Sequence, residues 1–223
     1  MRTQISAEGK IESSFSLSSL RSLCLCGESF CCASGFAGDE NMKPGIPKRD
    51  EVAFLLIDIQ EKFLPVIHNI ETVIDNANKL VSGASILKIP LIVTEQYPKG
   101  LGRTVDRINL AEGQQIIEKI SFDCFGCDEF NEKLMELKAK SLVIFGIEAH
   151  VCVLKTSLEA AARDYDVHVV ADAVSSRTEE NKLLALERLR QSGVFIVSTE
   201  MILFQLMHEA GTDEFRAISR LVK

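Results

Sequence analysis

From residue 51 onward, short apolar runs alternate with longer amphipathic stretches. Val52 to Ile59, Leu91 to Thr94, Ser141 to Ile147, Val167 to Ala171 and Val194 to Ser198 have strand length, and the intervals 68–88, 127–139, 152–164 and 178–192 carry apolar residues at helical spacing. Strands that are apolar throughout, rather than at every second position, suit a sheet covered on both faces. The alternation of strand and helix therefore predicts a single-domain three-layer α/β/α sandwich with a mostly parallel central sheet. In such sheets ligands bind at the carboxyl ends of the strands, so the polar residues there are where chemistry is to be sought.

Residues 1–48 follow no such pattern. Ser, Gly and Cys dominate, and Lys43-Pro-Gly-Ile-Pro-Lys48 closes the segment as a linker would, which predicts a disordered extension ahead of a domain at 49–223. Its cysteines, Cys24, Cys26, Cys31 and Cys32, lack paired C-x-x-C spacing and a nearby His, so no zinc site is expected. Ser enrichment with Arg2, Lys10 and Arg21 gives the extension some likeness to a mitochondrial presequence, while Glu8, Glu12 and Glu28 count against one. The expected compartment is the cytoplasm, with the mitochondrion as the alternative.

Charge narrows the partners. Of the 223 residues the first fifty hold six basic and six acidic side chains, so the net charge of −7 lies entirely in the patterned region. An acidic surface gives no electrostatic reason to bind nucleic acid or an anionic membrane, and no run approaches the roughly 20 apolar residues that span a bilayer. A small-molecule substrate is the expected partner. Seven cysteines, only Cys124, Cys127 and Cys152 of them in the patterned region, argue against a disulfide framework.

Three strand ends carry candidate chemistry. After Ser141-Leu-Val-Ile-Phe-Gly-Ile147 the chain enters Glu148-Ala-His-Val-Cys152, and Val153, Ser157, Ala160 and Ala161 then recur at helical spacing. Cys152 is thus delivered at a strand's carboxyl end and a helix's amino end, where free N–H groups favour a thiolate and can bind an oxyanion. Asp58 ends the first apolar run and reads either as a base or as a helix N-cap, with Glu61 completing a capping box. Lys119 lies where Ile116-Ile-Glu-Lys119 runs into a loop containing Phe122, Cys124 and Phe125; a lysine buried beside Cys152 would lower the thiol pKa. His150 is not expected to act on Cys152, because residues two apart at a helix start do not face one another. His68, His168 and His208 lack ligand spacing, so no metal is expected.

Asp58, Lys119 and Cys152, in this order and context, resemble the Asp-Lys-Cys triad of the isochorismatase-like (cysteine) hydrolase superfamily. The resemblance covers roughly residues 50–222 and rests on four segments: Leu56-Ile-Asp-Ile-Gln-Glu-Lys-Phe63, Thr94-Glu-Gln-Tyr-Pro-Lys-Gly-Leu-Gly102, Gly146-Ile-Glu-Ala-His-Val-Cys-Val153 and Val169-Val-Ala-Asp-Ala-Val-Ser-Ser-Arg177. The second and fourth look most like the eukaryotic isochorismatase-domain-containing branch. The resemblance implies the isochorismatase-like hydrolase fold, Cys152 as nucleophile, Asp58 as its base and Lys119 as the ordering cation. It also implies a cis peptide between Ile147 and Glu148, with the Glu148 and Cys152 N–H groups forming an oxyanion hole, and a homo-oligomer. Nicotinamidases carry an Asp-x-His metal motif where this chain has Thr94-Glu-Gln-Tyr97, so neither a metal nor a cofactor is expected. Isochorismate hydrolases of siderophore pathways usually lack the cysteine, so Cys152 argues against that reaction.

The expected activity is hydrolysis of a small amide or carbamoyl C–N bond through a Cys152 thioester. Phe63, Gln96, Tyr97, Phe122, Phe125 and Ser176 are the expected pocket lining. The competing reading is a binding or scaffold protein that keeps the fold without turnover. A Rossmann-type dinucleotide enzyme fails because no G-x-G-x-x-G follows the first strand.

Overall fold

The computed structural model describes residues 45–223. Most of the expected N-terminal extension therefore lies outside the described residues; of its last four positions, Gly45 and Pro47 are buried. Six strands follow, Val52–Ile57 (β1), Leu91–Gln96 (β2), Ile116–Lys119 (β3), Ser141–Ile147 (β4), Asp166–Ser175 (β5) and Phe195–Val197 (β6). The helices are Ile70–Leu87 (α1), Pro98–Leu101 (α2), Asp128–Leu137 (α3), Leu154–Ala162 (α4), Glu179–Gln191 (α5), Thr199–Gln205 (α6) and Asp213–Leu221 (α7).

The sheet order is β3-β2-β1-β4-β5-β6, and every neighbouring pair is parallel. Alternate residues of β1 serve opposite layers. Val52, Phe54 and Leu56 pack with α1, α6 and α7, whereas Ala53, Leu55 and Ile57 pack with α3, α4 and α5. All six are buried, which is why β1 reads as a continuous apolar run. The chain runs outward from β1 to β3 and then returns to β4 on the far side of β1. The carboxyl ends of β1 and β4 therefore flank the switch point where sheets of this kind hold ligands.

The fold predicted from the apolar pattern is present, while β2 and β5 run on to Gln96 and Ser175, α2, α6 and α7 lie outside the predicted helical intervals, and two further differences have a physical reason. β3 reads in the sequence as an apolar entry to a loop, because it is a four-residue edge strand with Glu118 turned outward. β1 stops at Ile57 rather than Ile59, because Asp58 takes a left-handed conformation with φ 55°, one that Asp tolerates better than most residues. In the C-terminal apolar stretch, Ile202, Leu203 and Leu206 enter the core while Met201 and Phe204 remain exposed, with Phe204 edge-on to Phe215. Among the described residues, no helix is long and apolar enough to cross a membrane.

Gly146 has φ 120°, and a Cβ there would lie 2.1 Å from the Ile57 carbonyl oxygen. Backbone meets backbone at this point, so no side-chain rotation could relieve the contact. Gly146→Ala is expected to destabilise the fold by more than about 3 kcal/mol, read as a lowered urea midpoint or loss of soluble protein.

His168 on β5 is fully buried and stacked on Phe195 at 5.1 Å between ring centroids, and neither ring nitrogen has a hydrogen-bond partner among the described residues. Burial pushes its pKa down to about 4, against a small opposing pull from Asp166. Above its ordinary value near 6.5 the imidazole is neutral whether the chain is folded or not. As pH falls, the unfolded chain takes up a proton that the folded chain refuses, and the loss is complete only below the folded pKa. This group should remove about 3 kcal/mol of stability between pH 6.5 and pH 4. Urea titrations across that window should show the loss in wild type and a flatter slope in His168→Phe.

Candidate active site

Asp58 follows β1 directly, and its backbone N–H donates to the Thr94 carbonyl at 3.2 Å. One carboxylate oxygen accepts from the Thr94 hydroxyl at 2.8 Å and the other from Lys119 Nζ at 2.7 Å. Lys119 ends β3, two strands away. Strands lie about 4.8 Å apart, so the lysine side chain must bridge roughly 10 Å across the end of β2. Gln96, the last residue of β2, stands beneath that bridge and accepts from Nζ at 2.8 Å. The carbonyls of Ser121 and Phe122 lie 3.4 Å from the same nitrogen.

The side chains of Asp58 and Lys119 are both 0% exposed. Burial opposes the ammonium, but the charge of the Asp58 carboxylate and its hydrogen bond hold Lys119 above its ordinary pKa. Lys119 is thus held as a cation at neutral pH. The N-cap reading of Asp58 is overturned. The short turn Glu61–Phe63 begins from Gln60 with no side-chain cap, and both Asp58 oxygens are occupied within the site.

At the end of β4 the Ile147–Glu148 peptide is cis. A π-helical turn over Ala149–Val153 then leads into α4 and carries Cys152, which is 5% exposed. The Glu148 carbonyl accepts from Val151 and Val153 N–H at 3.0 and 3.2 Å, which closes the turn. Burial pushes the Cys152 thiol well up, the Asp58 carboxylate adds to the shift by its charge and a hydrogen bond, and Lys119 opposes both. The expected lowering of the thiol pKa is therefore reversed. Lys119 is already paired with Asp58, so its field at the sulfur is largely cancelled. At neutral pH the resting group is a thiol beside a carboxylate, not a free thiolate.

A second thiol shares the site. Cys124 is fully buried, and burial pushes its pKa up to about 12 against the pull of Lys119. Thr156, one helical turn beyond Cys152, donates to Cys124 Sγ at 3.4 Å and accepts from the Cys124 N–H at 3.1 Å.

The expected lining residues divide. Gln96 touches Lys119 directly, and its amide group also donates to the Ile120 carbonyl at 2.6 Å. Tyr97 and Phe122 are half exposed beside the lysine: the Tyr97 N–H donates to the Lys119 carbonyl, and Lys155 lies 5.6 Å above the Phe122 ring. Phe63 packs against the α1-side core, and Phe125 packs in the opposite layer against Phe130 and Tyr165. Ser176 is buried and bonded through its hydroxyl to His150 Nδ1 at 2.9 Å, so His150 is engaged away from Cys152.

Sequence reasoning missed Thr94, Gln60 and Arg177. Gln60 is buried and ties the site's floor, donating to the Gln96 and Gly102 carbonyls and accepting from the Gln96 N–H. Arg177 grips the Glu148 carboxylate with two hydrogen bonds of 3.0 and 3.1 Å. Gln60, Thr94 and Arg177 stand inside three of the quoted segments, which was the available signal. Where nicotinamidases carry their metal motif, Glu95 turns to Arg103 and the Thr104 N–H, and no cluster of three or more His, Cys, Asp or Glu able to hold a metal occurs among the described residues.

An all-parallel six-stranded sheet with Asp58, Lys119 and Cys152 gathered at the carboxyl ends of its strands defines an α/β protein with a candidate site there. The isochorismatase domain profile matches residues 52–201. The secreted isochorismatase effector Isc1 of Phytophthora sojae is 43% identical over 171 residues, covering 74% of this chain and 81% of that protein. Isochorismatase domain-containing protein 2 of Danio rerio is 43% identical over 169 residues, 75% of this chain and 85% of that one. The solved structure of MAR1 ribonuclease from Caenorhabditis elegans superposes with a TM-score of 0.74 at 36% identity, over 78% of this chain and 91% of its own. The chain belongs to the isochorismatase family.

Two outcomes are expected at this site. Lys119→Met leaves a buried carboxylate without its cation and should cost about 3–5 kcal/mol in urea unfolding, with a smaller loss when Asp58→Asn is added. Iodoacetamide labelling of Cys152, followed by peptide mass, should keep rising through pH 9 with no inflection below pH 8.5. In Asp58→Asn the profile should move to lower pH, since burial still raises the thiol but the anion that added to the shift is gone.

Proposed function

We propose that this chain is a metal-independent cysteine hydrolase that cleaves a small amide or carbamoyl C–N bond through a thioester on Cys152. The observation that carries the reading is the buried Lys119 to Asp58 contact of 2.7 Å, which holds a carboxylate against the Cys152 thiol. In this mechanism Cys152 Sγ attacks the carbonyl carbon as its proton passes to Asp58. The N–H groups of Glu148 and Cys152 donate to the developing oxyanion. The intermediate collapses with cleavage of the C–N bond, and Asp58 returns the proton to the departing nitrogen. Water then adds to the thioester with Asp58 as base, releasing the acid and restoring the thiol.

A raised thiol pKa suits this order of events. The sulfur gives up its proton only to a base in contact with it and only as the new bond forms, so the resting enzyme has little exposed thiolate to lose to oxidants. Lys119 keeps Asp58 oriented, and Gln96 and Thr94 hold the pair in register. Gln96, Tyr97 and Phe122 are the lining residues nearest this chemistry in this reading.

The substrate of this reading is a small molecule rather than nucleic acid. The C. elegans neighbour is described as a ribonuclease, but a phosphodiester offers no acyl carbon to Cys152, and here the site's lysine is committed to Asp58 and Gln96. Free thiols at Cys124, Cys127 and Cys152 fit a reducing compartment, the cytoplasm or the mitochondrion. Exposed Met201 and Phe204 would serve a homo-oligomer contact.

Acid-quenched intact mass spectrometry during reaction with p-nitrophenyl acetate tests the reading. A stoichiometric acetyl adduct that maps to Cys152, turns over in wild type and is absent from Cys152→Ala is expected. A protein that never acylates at Cys152, while binding small ligands normally, would instead be a non-catalytic relative.

A further inference from the structure

The cysteine-hydrolase reading requires the Glu148 amide to face the oxyanion, and the structure contains a device able to hold it there. Glu148 is 5% exposed, yet it carries a carboxylate that plays no part in the Asp58, Lys119 and Cys152 cluster. Both carboxylate oxygens are gripped by Arg177, at 3.0 Å from Nε and 3.1 Å from Nη2. Arg177 lies just beyond β5, on a different strand end from Glu148. The Glu148 carbonyl is meanwhile fixed by the N–H groups of Val151 and Val153. Side chain and carbonyl are thus both clamped, and the orientation of the intervening backbone follows.

A second tie runs alongside the first. His150 Nδ1 and the Ser176 hydroxyl are 2.9 Å apart, the Ser176 carbonyl accepts from the His68 N–H at 2.9 Å, and the Ser175 hydroxyl donates to the His68 carbonyl at 2.5 Å. The turn carrying Cys152 is therefore braced against the end of β5 at two successive points, and β5 in turn against the loop entering α1. A bidentate guanidinium pair has a fixed planar geometry, which an ammonium could not impose.

Resting on the cysteine-hydrolase reading, we infer that Arg177 is a positioning residue for acyl transfer, acting through the Glu148 carboxylate to hold the Glu148 N–H toward the oxyanion. It does not touch the reacting atoms, and it does not change the protonation of Cys152. Its loss should therefore slow acylation, which develops an oxyanion, while sparing alkylation, which displaces iodide from carbon and develops none.

The test measures two rates on the full chain: the p-nitrophenolate burst with p-nitrophenyl acetate, corrected with Cys152→Ala, and iodoacetamide labelling at Cys152. Arg177→Met alone strands a buried carboxylate, so the informative variant pairs it with Glu148→Gln, and Arg177→Lys keeps the charge without the fork. The double variant should lower the ratio of acylation to alkylation roughly tenfold or more, short of the 10²–10³-fold loss that follows outright removal of an oxyanion donor. Arg177→Lys should fall between it and wild type. Rates that fall together would show Arg177 to be merely structural, and an unchanged ratio would overturn the inference. A wild-type protein with no Cys152-dependent burst would overturn the cysteine-hydrolase reading itself, and the role of Arg177 with it.

Discussion

A fully buried ion pair, Lys119 with Asp58, is the interaction on which the rest of the site depends. Removing two charges from water costs several kcal/mol per ion, and their attraction offsets this only when the remaining hydrogen-bonding capacity is also met. Here it is met: Thr94 serves the second Asp58 oxygen, and Gln96 with two loop carbonyls serves the ammonium. Such a pair adds little net stability over an apolar filling of the same volume. What it supplies is a carboxylate of fixed position and charge beside a buried thiol.

The fold delivers these groups from three different strand ends. β1 supplies Asp58 through a left-handed turn, β3 supplies Lys119 from the sheet edge, and β4 supplies Cys152 through the π-helical turn that follows it. Convergence depends on close backbone approach between β1 and β4, which Gly146 permits because nothing but hydrogen fits against the Ile57 carbonyl. The arrangement occupies the reversal point of the sheet, where neighbouring crossovers leave in opposite directions and the strand ends are uncovered.

Much of this was legible in the residues. β1 throughout, and β4 after Ser141, are apolar because both faces are covered, and that signal is independent of tertiary detail. β3 was not legible, being four residues at an edge with Glu118 exposed. Asp58, Lys119 and Cys152 stood out through strand-end position and family resemblance together; Thr94, Gln60 and Arg177 did not, since their significance lies in what they meet across the sheet. The sign of the thiol shift was misread for a physical reason. A cation beside a sulfur suggests a thiolate, but burial and the adjacent Asp58 carboxylate outweigh a cation that is already paired.

The central claim is that Asp58 and Lys119 act on Cys152 as one unit, and a double-mutant cycle tests it most directly. The rate of Cys152 acylation would be measured in wild type, Asp58→Asn, Lys119→Met and the double variant. Groups that work as a unit are strongly non-additive, so the double variant should lose little more activity than the worse of the two single variants. Losses that multiply, as for independent residues, would contradict it.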